Sequence, residues 1–201
     1  MVDTFQLYIS AANDLTNERE LIGQIVTEIP VSLGWQISFS SVDKNTGNEK
    51  SMLAADLHLF VYGKDIRAPI GYEWYLSRST GRTPPFLIKE NIPRTIAGRD
   101  FLKSILSYPK LLSYNSLAEF RKLVIIQIGQ YIIKHADHFV IKTLEFEGIS
   151  KFMEDLEEIE PSLLDNVTGE DSIILTRERF MPKNGILIQS PGDVHSSNNT
   201  P

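Results

Sequence analysis

A three-layer α/β domain, with a mostly parallel sheet flanked by helices and a C-terminal appendage, is the fold this sequence predicts. Two observations predict it. Short apolar runs recur at Phe5–Ser10, Trp35–Phe39, Leu57–Tyr62 and Pro84–Lys89. Between them lie stretches whose apolar residues repeat at helical spacing. Strands that alternate with helices form βαβ units, and such units build parallel sheets. A third observation sets the scale: 201 residues with 42% apolar content suffice for one core of ordinary size plus an appendage.

The first strand is Phe5-Gln6-Leu7-Tyr8-Ile9-Ser10, where apolar and polar residues alternate. After the break at 11–14, Leu15, Ile22, Ile25, Val26 and Ile29 keep helical spacing, with Glu18, Arg19 and Glu20 expected on the wet side. Pro30 and Gly34 end that helix. Trp35–Phe39 gives the second strand, and 43–50, with Asn-Thr-Gly-Asn, reads as a surface loop. A short helix over 49–55 leads into the third strand, Leu57–Tyr62. The next helix spans Gly71–Ser79, and Thr80-Gly81-Arg82 closes it before the fourth strand. Leu111–Tyr114 is a fifth strand and 101–106 a short helix. Ser116 and Glu119 have the spacing of a capping box, where the hydroxyl caps and the acid reaches back. They open a long helix striped by Leu117, Phe120, Val124, Ile128, Tyr131 and Ile132.

This divides the chain into an α/β domain over 1–141, an acidic appendage or further module over 142–189, and a polar tail over 190–201 expected to be disordered. Short strands are expected at 172–176 and 185–189. The end reads either as a cut inside a longer protein or as an appended tail.

Composition removes several functions. Net charge is −6 and no Lys/Arg cluster is present, which disfavours nucleic acid as a partner. With no cysteine, thiolate catalysis, disulfides and Cys-based zinc sites are excluded, and a cytoplasmic setting is expected. The N-terminus lacks the pattern of a signal peptide. The longest apolar stretch, 123–133, is interrupted by Gln127 and Gln130, so no membrane span is expected. Neither GxGxxG nor GxxxxGK[ST] occurs. His135 and His138 are spaced i, i+3 but lack a third ligand, so no metal site is assigned.

The best functional clue is Glu73. It follows the apolar strand 57–62 and a polar loop, and it stands early in a helix. Open α/β sheets bind ligands outside the carboxyl ends of their strands. A carboxylate there is a candidate reactive group. The alternative is a solvated residue near a helix N-terminus, where the dipole favours negative charge. Ser10, Asn13 and Asp14 occupy the exit of the first strand, a ligand position in such sheets, although Asn13 or Asp14 can equally cap the helix. Tyr8, Tyr72, Asp56 and Trp74 can line the same cleft, with Trp74 preferred as core. Lys64 and Arg67 precede Glu73 and can meet a phosphate. His58, on a buried strand, reads as a packed histidine.

These segments carry a resemblance. Ile9-Ser10-Ala11-Ala12-Asn13-Asp14-Leu15-Thr16-Asn17-Glu18-Arg19 resembles the opening of the TIR-like domains at the front of large NTPase-linked signalling proteins. Ala55–Gly63 resembles their third strand and that of nucleoside 2-deoxyribosyltransferases. Gly71-Tyr72-Glu73 followed by Pro84-Pro85-Phe86-Leu87-Ile88 resembles the deoxyribosyltransferase stretch in which a Gly-rich loop leads to the reactive Glu. The similarity covers about residues 5–90. The chain departs from it in carrying Arg67-Ala68-Pro69-Ile70-Gly71 in place of Asp-Ser-Gly-Thr, and Arg82-Thr83-Pro84 in place of Gly-Lys-Pro.

The resemblance implies a TIR-like, flavodoxin-like sheet. It also implies cleavage or transfer at the N-glycosidic bond of a nucleoside or nucleotide, NAD among them, with Glu73 as the central carboxylate. Tyr8, Ser10, Asn13, Asp14, Gly63, Arg67, Gly71 and Tyr72 would bind substrate. No cofactor is required; NAD or another nucleotide enters as substrate. The alternative is a non-catalytic domain that self-associates or couples to an effector module. A homo-oligomer is compatible with both.

Overall fold

The computed structural model describes residues 4–40, 45–66, 68–158 and 186–189. Its strands are β1 (Thr4–Ala11), β2 (Gly34–Phe39), β3 (Leu57–Tyr62), β4 (Phe86–Lys89), β5 (Leu111–Tyr114) and β6 (Ile186–Gln189). A 3-10 turn, Asn13–Leu15, leads into α1 (Thr16–Glu28). The other helices are α2 (Asn45–Ala54), α3 (Ala68–Ser79), α4 (Ile96–Ser104), α5 (Leu117–Lys134), α6 (Ala136–Phe139) and α7 (Thr143–Glu158).

The strands form one sheet in the order β5-β4-β3-β1-β2-β6. Every neighbouring pair is parallel. From β1 the chain steps outward to β2, then crosses back to place β3 on the other side of β1. This is the doubly wound order of flavodoxin-like sheets, and its strand order reverses between β1 and β3.

Side chains alternate across the sheet, so one sequence period builds two different layers. Phe5, Leu7 and Ile9 of β1, Trp35 and Ile37 of β2, and Leu57, Leu59 and Val61 of β3 share one face. Ile22, Ile25 and Val26 of α1, and Val124, Ile125 and Ile128 of α5, complete that core. Gly129 lets α7 lie close to α5: a Cβ there would stand 2.6 Å from Met153 Sδ and 3.3 Å from Ile149 Cγ2. The opposite face carries Tyr8, Phe60, Tyr62 and Phe86 and is covered by α2, α3 and α4. Trp74 of α3 packs there against Phe86 and Tyr108, with ring centroids at 5.1 and 4.9 Å.

Several local expectations change. Glu18 is not on the wet side of α1: it is 1% exposed and bonded to Lys89 Nζ at 2.7 Å and to the Tyr114 hydroxyl at 3.2 Å. Glu18 stands three residues after Leu15 and four before Ile22, so the apolar stripe turns it inward, and a cation at the exit of β4 receives it. Helix α2 begins at Asn45, inside the stretch expected as a loop, and α3 begins at Ala68, upstream of Gly71. Helix α7 falls within the expected appendage, yet its Ile149 and Leu156 join the main core. Ser116 caps α5 by accepting from the Glu119 N–H at 3.1 Å, while the Glu119 carboxylate accepts from the Asn115 N–H at 2.6 Å. The strand expected at 172–176, the tail at 190–201 and Arg67 lie outside the described residues.

Candidate functional site

Glu73 lies six residues into α3 on the side that faces the sheet, and it is 3% exposed. Tyr8 and Ser10 stand two apart on β1 and so project from the same face. The Tyr8 hydroxyl donates to Glu73 Oε1 at 2.6 Å, and Ser10 Oγ donates to Oε2. The Ser40 hydroxyl also bonds to this pair. His58 is the register partner of Tyr8 on β3, and its Nε2 lies 2.8 Å from Ser10 Oγ. The imidazole is wedged between the rings of Tyr8 and Phe60, at 5.1 and 4.2 Å. The cluster therefore spans β1 and β3, the pair at which the strand order reverses, and α3 closes it from above.

With Glu73 ionised, the hydrogen bonds set the proton order. Ser10 has one hydroxyl hydrogen, and it goes to the carboxylate. The Ser10 oxygen then accepts, so His58 carries its hydrogen on Nε2 and leaves Nδ1 bare. Nδ1 has no partner among the described residues, and neither does the buried Ser77 hydroxyl one turn beyond Glu73. Burial holds the imidazole neutral: desolvation first, then the Arg82 guanidinium, push its pKa down to about 3. Burial also raises the Glu73 pKa, while the bonds from Ser10, Tyr8 and Ser40 act against the shift. The Tyr8 hydroxyl is held well above its usual range by burial and then by the adjacent carboxylate.

This arrangement differs from a serine-hydrolase triad. There the histidine sits between serine and acid and takes the serine proton. Here the serine sits between histidine and acid and gives its hydrogen to the acid. Ser10 positions Glu73 and is not itself activated. The group with chemical capacity is the carboxylate, held by hydroxyl donors in a shielded place.

The remaining expected residues fall in three positions. Asp14 caps no helix: its Oδ2 accepts from the Lys64 N–H at 3.0 Å and so ties the exit of β1 to the exit of β3. Gly63 permits this, because a Cβ there would stand 2.6 Å from Asp14 Oδ2. Gly71 lies on α3 beside Ile66, 3.7 Å from where its Cβ would be. Tyr72 is not brought to the carboxylate: it is 53% exposed, and its hydroxyl reaches Glu49 Oε2 at 3.4 Å. Asn13 belongs to the 3-10 turn after β1. Asp56 sits before β3, where its carboxylate accepts from the Gln6 N–H at 2.7 Å, away from Glu73. His138 lies 3.9 Å from Asp56, and no group of three metal-ligating side chains occurs among the described residues.

Residue-level reading left His58 and Ser40 out of the site. Period-two alternation carries the signal for His58: Tyr8, Ser10 and His58 are the polar positions facing one way on two strands of a parallel sheet. Arg82, which follows α3 and departs from the Gly-Lys-Pro pattern, has a structural role as well. Its guanidinium bonds the carbonyls of Met52, Leu53 and Ala55, at 3.2, 2.7 and 3.1 Å, at the end of α2.

No family model and no curated protein matches this chain. No helix among the described residues is long and apolar enough to cross a membrane.

Proposed function

We propose that this domain cleaves or transfers the N-glycosidic bond of a nucleoside or nucleotide, NAD among the candidates, with Glu73 as the central carboxylate. The observation that carries the reading is the convergence of Tyr8 and Ser10 on Glu73, with His58 behind Ser10, beside the β1/β3 reversal. Breaking a ribosyl–base bond develops positive charge on the sugar, and a carboxylate opposite it stabilises that charge or adds covalently. The hydroxyls of Tyr8 and Ser10 orient the carboxylate in advance, which lowers the reorganisation needed during reaction. Asp14 and Gly63 at the strand exits, and Gly71 on α3, would shape the approach. No cofactor is needed for such a step. The reading places the protein in the cytoplasm and the TIR-like group, in keeping with its lack of cysteine and the motifs at 9–19 and 55–63.

A second reading has its own observation. Glu73 is 3% exposed and Tyr8 and Ser10 are 0% exposed, the state of a polar lock between α3 and β1 in a non-catalytic, self-associating or effector-coupling domain. Incubation with NAD and a panel of nucleosides separates the two. Release of free base supports the glycosidic reading, and no release from any of them favours the interaction domain.

A further inference from the structure

A cavity of about 220 Å³ lies between α2 and the β1–β2 half of the sheet, and Glu73 does not line it. Its polar lining is Gln6, Gln36, Ser38, Lys50 and Ser51. Gln6 and Gln36 are register partners on adjacent parallel strands, so their side chains stand side by side. Lys50 is exposed and stands at the mouth on α2.

The charge in this lining is of one sign. An amide offers two N–H donors and a carbonyl acceptor, and an ammonium offers three donors. The lining holds one cation and no carboxylate. A ligand with a negative charge complements the ammonium, and its oxygens can accept from the amide N–H groups. Size is limited as well. Sites for drug-sized molecules span roughly 300–1,000 Å³, and this cavity is smaller, too small for a dinucleotide.

We propose that the α2 cavity binds a small organic oxyanion, a carboxylate or phosphate monoester of about sugar-phosphate size. Lys50 meets the anionic group, and the Gln6 and Gln36 amides meet its hydroxyl or carbonyl oxygens. The site does not depend on the glycosidic reading. It adjoins that cluster all the same, because Gln6 lies two residues before Tyr8 on one face and Ser38 is the register partner of Tyr8.

Calorimetric titration of the full chain with ribose 5-phosphate, with citrate and with neutral ribose tests this without reading turnover. The expected result is saturable binding of at least one of the two anions and none of ribose. Gln36→Leu and Lys50→Glu should each weaken that binding at least about tenfold, the scale of one charge-assisted hydrogen bond. Lys103→Glu, on α4 and away from the cavity, should leave it unchanged. Lys50 is exposed, so its variant keeps the test valid even if the strand variant unfolds. The proposal is overturned if neither anion binds, if ribose binds as well as ribose 5-phosphate, or if the folded variants bind like the parent.

Discussion

On β1, Phe5, Leu7 and Ile9 point to one face of the sheet, and Gln6, Tyr8 and Ser10 point to the other. The first face is closed by dispersion and apolar burial. Phe5 alone meets Trp35, Phe139 and Tyr131 with ring centroids at 5.1, 5.3 and 5.7 Å. On the β1–β2 half and at His58, the second face is closed by hydrogen bonds and leaves a polar cavity beside them. The same strands thus separate two tasks. One layer supplies stability mainly through apolar packing. The other holds polar groups at a cost in desolvation, which is what a reactive or binding site requires.

If that division is right, the largest stability effect comes from the apolar face. Phe5→Ala should destabilise the fold by about 3–5 kcal/mol, the cost of losing a buried aromatic and leaving a cavity. Denaturant unfolding measures it, and a loss under about 1 kcal/mol would mean that this face is not the main source of stability.

The polar face should reveal itself through pH. His58 is neutral when folded, with its pKa pushed down to about 3, whereas an unfolded histidine takes a proton near its ordinary value of 6.5. Stability contributed by the neutral ring is therefore lost as pH falls below that ordinary value. Between pH 6.5 and 5 the loss is about 2 kcal/mol, at about 1.4 kcal/mol per pH unit. Glu73 acts with the opposite sign. Its raised pKa means that burying the carboxylate costs stability at neutral pH, and this cost is relieved as pH falls through its folded pKa. Melting curves across this range should show a shallower acid slope for His58→Gln than for the parent and a steeper one for Glu73→Gln. Parallel slopes for all three would break the account of the cluster.

The smallest effect belongs to the outer side of α3. Tyr72 is 53% exposed, so Tyr72→Ala should change stability by no more than about 0.5 kcal/mol. Base release should also be unchanged. A large loss of turnover in this variant would return Tyr72 to the substrate and require α3 to present a different face.

Much of this was readable from residue order, and the exceptions have physical causes. The parallel sheet followed from apolar runs between helical periods, which β1 to β4 match. Glu18 was misjudged because a charged residue at the start of a helix is normally solvated. Only the tertiary approach of Lys89 and Tyr114 makes its burial tolerable. The start of α2 was hidden by Asn-Thr-Gly-Asn, which has loop composition, although Met52 anchors the helix against Tyr8. Glu73 could be placed near the strand exits, but its near-complete burial could not be inferred. That depends on the rotation of α3, which turns Glu73 and Ser77 inward and leaves Tyr72 and Tyr75 outside. The Ser10–His58 contact required the β1/β3 register, and no single segment carries that.

The most direct test is to compare the parent with Glu73→Gln for base release from whichever nucleotide the parent consumes, alongside their melting curves at neutral pH. The substitution keeps the size of the side chain, leaves a carbonyl acceptor for one of the two hydroxyls and turns an N–H donor to the other, and it removes the charge set against an oxocarbenium-like sugar. The account predicts a folded variant whose rate falls by at least about 100-fold, the scale of one preorganised electrostatic group. A folded variant that turns over at the parent's rate would contradict it.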